Sequence, residues 1–235
     1  MSAPLSDPPA NVGSGREPIL ELEDLYHRWK GPKPPVLDSV SLTLRAGEVT
    51  WIGGRNGAGK TTLLRLAAGI LLPQRGNVSM GELTPQASGR SYRRLIGFLS
   101  AGDRSLQARM RVSQQLDYWG RLAYVPRERR ADMVAESLRR FGLVELAARR
   151  VDRMSMGQRQ RIRLAMAFLH EPRAILLDEP RNSLDDEGYE LLNTQIKEAA
   201  KRGATVLWCS PRGEDRVIEC DASYTLSEGH LERAQ

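Results

Sequence analysis

Two hydrophobic periods alternate along this chain. Residues 19–52 read as short strands: ILELEDLYHRW alternates apolar and polar positions, and VLDSVSLTLRAGEVTWIG does the same. Helical spacing follows from Lys60 to about Leu71. A Pro- and Gly-punctuated stretch then holds short strands, NVSMGEL and RLIGFLS. From Val112 to about Leu146 the pattern is helical, carried by Leu116, Tyr118 and Trp119, then Val134, Leu138 and Phe141, with Gly142 as its C-terminal stop. RMSMGQRQRIRLA, residues 153–165, opens another helix, and Ser155 and Gln158 have the spacing of a capping box. AILLD is an unbroken apolar run of the kind found in buried parallel strands. A helix over 188–202 and a second buried strand, TVLWC, follow. Strands alternating with helices predict a parallel sheet, with a helical subdomain inserted at about residues 103–153.

The chain's 235 residues suit one large domain or one domain with a subdomain. Residues 1–18 are rich in Pro, Ser and Gly and are expected to form a disordered tail ahead of the domain at 19–235. That start has no apolar core, so it does not read as a secretory signal. No further domain is expected after the last strand. No apolar run approaches the roughly 18 residues needed to cross a bilayer, so a membrane role would come through a partner. The net charge of +6 favours polyanions or an anionic membrane face, but 30 of the 35 basic residues are Arg, a common genomic bias. The charge therefore says little for nucleic acid. Cys209 and Cys220 are too few for a disulfide framework and are expected to stay reduced.

GRNGAGKTT, residues 54–62, fits G-x-x-x-x-G-K-[ST] between a predicted strand and a predicted helix. Gly54, Gly57 and Gly59, with Asn56 and Ala58 between them, let the loop curl so that successive N–H groups point inward as an anion nest. The helix N-terminus adds partial positive charge. Lys60 would reach the β- and γ-phosphates of ATP, Thr61 would hold Mg²⁺, and Thr62 would donate to the α-phosphate. ILLDEP, residues 175–180, ends a buried strand in two carboxylates, which is costly unless something pairs with them. Asp178 is placed to reach the Mg²⁺ shell, and Glu179 to polarise the attacking water as the catalytic residue.

In this combination the chain resembles the nucleotide-binding domain of ABC transporters from Ile19 to Gln235. Ser155-Met156-Gly157-Gln158 is similar to that family's signature, usually LSGGQ, with Met154 and Met156 as departures. The resemblance implies an α/β P-loop NTPase fold of the ABC ATPase type. Its parts would be a mostly parallel core sheet with flanking helices, a small antiparallel β subdomain and an inserted α-helical subdomain. It also implies a head-to-tail dimer with a second ABC ATPase subunit, in which Ser155, Gly157 and Gln158 of one copy clamp ATP held by the other. Asn182-Ser183-Leu184-Asp185 resembles the D-loop, with Asp185 as its acid. Trp29 stands where the family often stacks an aromatic on adenine, with Tyr26 as the alternative.

Two residues usual in the family are missing. Ser100-Ala101 stands in place of Pro-Gln after LIGFL, and Pro211 stands at or next to the place of the γ-phosphate His. Pro has no titratable group and no N–H. Ser100 or Asp103 would have to approach the metal instead, and Ser210 or Arg212 to donate to the phosphate. Firm ATP binding with slow hydrolysis is the expectation.

The resemblance implies an ATPase subunit peripheral to the cytoplasmic face of the membrane, touching it only through an integral membrane permease that selects the cargo. RMRVSQQLDYWGRLAYVPRE resembles export-type subunits, and the groove beside residues 99–125 would receive the permease's helix. Tyr118 and Trp119 themselves read as packing within the helical subdomain. The alternatives are a regulatory subunit of a heterodimer and a non-transport ABC ATPase acting on ribosomes or DNA. The latter generally carry two cassettes or a long coiled-coil insert, and nucleic acid is not an expected partner.

Overall fold

A computed structural model describes residues 16–32, 34–102, 105–211 and 219–234. Two sheets form. Strands β1 (Pro18–His27), β2 (Leu37–Arg45) and β4 (Arg75–Ser79) make an antiparallel sheet in the order β2-β1-β4. The core sheet runs β5-β6-β7-β3-β8-β9, from β3 (Val49–Gly54), β5 (Ile96–Leu99), β6 (Ala174–Asp178), β7 (Thr205–Pro211), β8 (Ala222–Ser227) and β9 (His230–Arg233). Its pairs are parallel except β8 with β9.

The core sheet lies between two apolar clusters. One holds Ile52, Leu176 and Leu207 with Leu63, Leu64 and Leu66 of α1 (Lys60–Ala67). The other holds Ile175, Leu177 and Val206 with residues of α3 (Val112–Leu122), α4 (Arg127–Arg140), α5 (Met156–Phe168) and α6 (Asp186–Lys201). All five residues of β6 are buried, which is why AILLD carries no alternation. Truncating Leu176 to Ala would cost about 2–5 kcal/mol at such a site.

Four sequence expectations need correcting. The helix expected to reach Leu71 stops at Ala67, because Gly69 is left-handed (φ 63°) and Ile70 N–H turns back to the Arg65 carbonyl. The run from Val112 to Leu146 is two helices. Tyr124 is left-handed (φ 58°), and Pro126, which lacks an N–H, stands at the N-cap of α4. Helix α2 (Pro85–Arg93) lies between the two expected short strands, where no element was expected; Thr84 caps it, and Ser88 breaks its regularity (φ −127°, ψ 31°). The helix expected over 188–202 starts at Asp186, because Asp185 caps it by accepting from Gly188 N–H at 2.9 Å. Gly142 does stop α4: its N–H reaches the Arg139 carbonyl and Leu143 N–H that of Leu138.

Candidate functional site

The loop after β3 is shaped by its glycines. Gly57 (φ 83°) and Gly59 (φ 109°) take backbone conformations that other residues resist. A Cβ on Gly59 would lie 2.7 Å from the Val36 carbonyl, and one on Gly54 2.5 Å from that of Leu226. Asn56 and Gly57 are exposed and Ala58 is half-buried. Gly59 is the N-cap of α1, whose first N–H groups, on Lys60, Thr61 and Thr62, have no acceptor within the helix. Lys60 is buried, and its Nζ donates to the carbonyls of Gly54 (2.7 Å) and Arg55 (3.0 Å). A buried ammonium hydrogen-bonded to neutral carbonyls beside open N–H groups is a site for an anion.

Thr61 Oγ1 donates to Asp178 Oδ2 at 2.7 Å, joining α1 to the end of β6. Asp178 is 2 % exposed. Burial pushes its carboxyl above the ordinary value, while the Thr61 hydroxyl, the Ala101 backbone N–H and the Lys60 ammonium pull it down and Glu179 adds to the rise. Hydroxyl and carboxylate oxygens beside a phosphate-type nest are the donor set that suits Mg²⁺. Glu179 follows in a left-handed conformation (φ 49°), a strained geometry for a non-glycine residue. Its N–H bonds the Cys209 carbonyl at 2.8 Å, and its carboxylate accepts from Asn182 Nδ2 at 2.7 Å. Sequence reasoning took Asn182 only as part of a motif and missed this contact.

The capping box of α5 is present. Ser155 Oγ accepts from Gln158 N–H at 3.2 Å, and Gln158 Oε1 accepts from Ser155 N–H at 3.1 Å. Ser155 and Met156 are exposed, and Gly157 and Gln158 are half-buried. Asp185 also accepts from Arg161 at 2.8 and 3.1 Å, and Arg161 reaches Glu187 at 3.2 Å. The Arg161 guanidinium beside it, with the Gly188 N–H, holds the Asp185 carboxyl below its ordinary value. Arg161 is one of three long polar side chains buried in α5, with Gln160 and Arg163. The segment after Gln158, RQRIR, gives no sequence sign that these residues sit inside.

Trp29 is 49 % exposed, with its ring edge-on to His27 at 4.8 Å between centroids. Tyr26 is covered by the Arg75 guanidinium, 4.0 Å from the ring centroid. The end of β1 that precedes Trp29 is joined to the phosphate loop through Val36, whose N–H bonds the His27 carbonyl and whose carbonyl abuts Gly59. Pro211 pairs with Gly54 at the end of β7. Ser210 is 1 % exposed and its Oγ accepts from Trp51 Nε1 at 2.8 Å, so it faces inward. Asp103 and Arg212 lie outside the described residues. Ser100 meets Arg163 through its carbonyl. Trp119 lines a cleft with Phe98, Ser100 and Arg163, and Tyr118 is 38 % exposed, so neither is wholly absorbed by core packing.

A strand, a glycine loop that leads into a helix, and a buried Asp bonded to that helix's second residue define a P-loop nucleotide-binding cassette. The family model described as ABC transporter matches residues 37–182, and the chain belongs to that family. It is 32% identical over 215 residues to the ABC transporter ATP-binding protein NatA of Bacillus subtilis, covering 91% of this chain and 87% of that one. It is 31% identical over 229 residues to the nickel import ATP-binding protein NikO of Rhodobacter capsulatus, covering 90% and 89%. Among solved structures, the ATP-binding cassette MJ0796 bound to ADP and Pi, a dimer, shares the fold with TM-score 0.81 at 23% identity, covering 92% and 99%. The chain is thus an ATP-binding subunit of an ABC transporter, built on an ATPase domain.

Proposed function

We propose that this subunit binds ATP with Mg²⁺ and closes on a second ABC ATPase subunit, moving a cargo through a separate membrane permease while hydrolysing ATP slowly. The observation that carries this is the Thr61–Asp178 hydrogen bond beside the buried Lys60, with Glu179 next in the chain. Gly54, Asn56, Gly57, Ala58, Gly59 and Lys60 cradle the phosphates, and Thr62 donates to them. Thr61 and Asp178 are the residues that would hold Mg²⁺, which when bound offsets phosphate charge. Glu179 orients the attacking water, and Asn182 fixes its carboxylate. Ser155, Gly157 and Gln158, exposed or half-buried at the start of α5, present N–H groups to the nucleotide of the second subunit. Asp185 sits beside that contact on the adjoining loop.

The slow-hydrolysis reading is supported by Ala101, at the place of the family's usual Gln, and by Pro211, at or next to the place of its usual His, neither of which offers a side-chain donor. Phosphoryl transfer depends mainly on positioning and charge stabilisation, and one lost donor costs on the order of 10- to 1,000-fold in rate. Residues 19–235 act as one cassette, with residues 103–153 as its helical subdomain. The cleft of Phe98, Ser100 and Trp119 supports the reading that a permease helix docks there, with the subunit peripheral to the membrane's cytoplasmic face. Among the described residues no helix is long and apolar enough to cross a membrane. The segment from residue 109 favours export, whereas one relative carries an import name.

The test is steady-state hydrolysis by the purified chain with and without its permease. Expected are tight ATP binding, turnover well below one per second even with the permease, and loss of turnover in Glu179→Gln with binding kept. Fast turnover would overturn the slow-site reading.

A further inference from the structure

We propose that His27 is a positioning residue for nucleotide binding, its ring holding the Trp29 indole as a preset platform for the adenine base. This rests on ATP as the ligand and on Trp29, rather than Tyr26, as the stacking residue.

The backbone at the end of β1 is pinned from both sides. On the β2 side, Val36 N–H bonds the His27 carbonyl at 2.9 Å. On the β4 side, Gln74 makes three bonds. Its N–H donates to the Tyr26 carbonyl at 3.1 Å, its Oε1 accepts from Arg28 N–H at 2.9 Å, and its Nε2 donates to the Arg28 carbonyl at 3.0 Å. These bonds fix the chain up to the residue before Trp29. They leave the direction of the half-exposed indole to its side-chain contacts. There His27 meets it, with ring centroids 4.8 Å apart and planes at 78°, the edge-to-face arrangement that aromatic pairs favour.

His27 is the anchored member of the pair. It is 5 % exposed, and its carbonyl is the one that Val36 holds. Neither of its ring nitrogens has a hydrogen-bond partner among the described residues. Burial lowers its pKa, so the ring is neutral at pH 7. With no polar bond to offset its desolvation, what the imidazole contributes is ring contact. An exposed indole that turned freely would have to be immobilised when a base stacks on it. Immobilising one such side chain costs a factor of about two to ten in affinity, which a ring already held avoids.

The test is calorimetric titration of the full purified chain with ATP and Mg²⁺, using His27→Ala, His27→Phe, Trp29→Ala and the double variant His27→Ala with Trp29→Ala. His27→Ala should weaken ATP binding about three- to tenfold, and His27→Phe, which keeps a ring, should stay within about twofold of the parent. In the Trp29→Ala background, His27→Ala should change the affinity by less than about twofold, because the platform it serves is gone. Inorganic triphosphate, which has no base, should bind His27→Ala as it binds the parent. KM for ATP should rise in His27→Ala with kcat level. The near-ultraviolet dichroism of Trp29, isolated by difference against Trp29→Phe, should weaken in His27→Ala and persist in His27→Phe. Losses that add in the double variant, or equal weakening of ATP and triphosphate, mark a merely structural role and overturn the proposal. If His27→Ala does not fold, His27→Leu replaces it with the same expectations. If triphosphate binds too weakly to measure, the double variant decides. If Trp29→Ala binds ATP as the parent does, the platform is elsewhere and the proposal falls. A parent chain that binds no ATP overturns the proposed function instead.

Discussion

Gly157 lies against the backbone of Ser183: a Cβ added to the glycine would sit 2.9 Å from the Ser183 carbonyl oxygen. The start of α5 thus touches the loop between β6 and α6, and Ser183 is itself left-handed there (φ 66°). Helix propensity alone favours Ala over Gly by about 1 kcal/mol. The close approach reverses that sign. Gly157→Ala is expected to lower the melting temperature by about 2–4 °C rather than raise it. It should also weaken ATP-dependent dimerisation, read by gel filtration in a Glu179→Gln background.

Asn182 holds Glu179 at 2.7 Å, so Asn182→Ala frees the carboxylate proposed to orient the attacking water. Turnover should fall about tenfold while KM for ATP stays level, the pattern of an interaction used in the transition state. An equal rise in KM would show that Asn182 acts on binding instead.

The half-exposed face of Trp29 is available for stacking, whereas Tyr26 already carries Arg75. Trp29→Ala should weaken ATP binding by about 1–3 kcal/mol, Trp29→Tyr by less, and Tyr26→Ala hardly at all. Calorimetric titration separates the three. A larger loss in Tyr26→Ala would move the platform to that residue.

His170 gives the fold a pH dependence. Burial pushes its imidazole from the ordinary 6.5 down to about 4, the Ile96 carbonyl bond pulling back up and Arg94 pushing further down. The unfolded chain therefore takes up a proton at a pH where the native one does not. The contribution is full above about 6.5 and is lost as the pH falls towards 4, amounting to ~2–3 kcal/mol. Urea unfolding at pH 7 and pH 4.5 should show that loss, and His170→Gln should flatten it.

Much of the fold was legible in the chain. Strand β6 announced itself as an unbroken apolar run, and the start of α5 as a capping box, because both signals depend on neighbours a few residues away. Helix α2 did not, because PQASGRSYR offers few apolar positions and only Pro85 and Tyr92 are buried. Tertiary placement of Tyr92, whose hydroxyl donates to the Ala67 carbonyl, carries that helix rather than any period. The break after Leu122 is marked in the sequence by Pro126, but the helical spacing on either side conceals it.

The sequence by itself determined the order and identity of the chemical groups: the glycines of residues 54–59, the lysine and threonines after them, and two acids at the end of an apolar strand. Those follow from local backbone demands, which residue type satisfies without reference to the rest of the chain. Only the tertiary structure decided who meets whom. Thr61 finds Asp178 across 117 residues, and Arg163 finds Ser100 across 63. The sequence could not show that α5 buries two arginines and a glutamine along its length. Their burial depends on the helix being enclosed by distant segments, and a buried donor takes whichever acceptor those segments bring within reach.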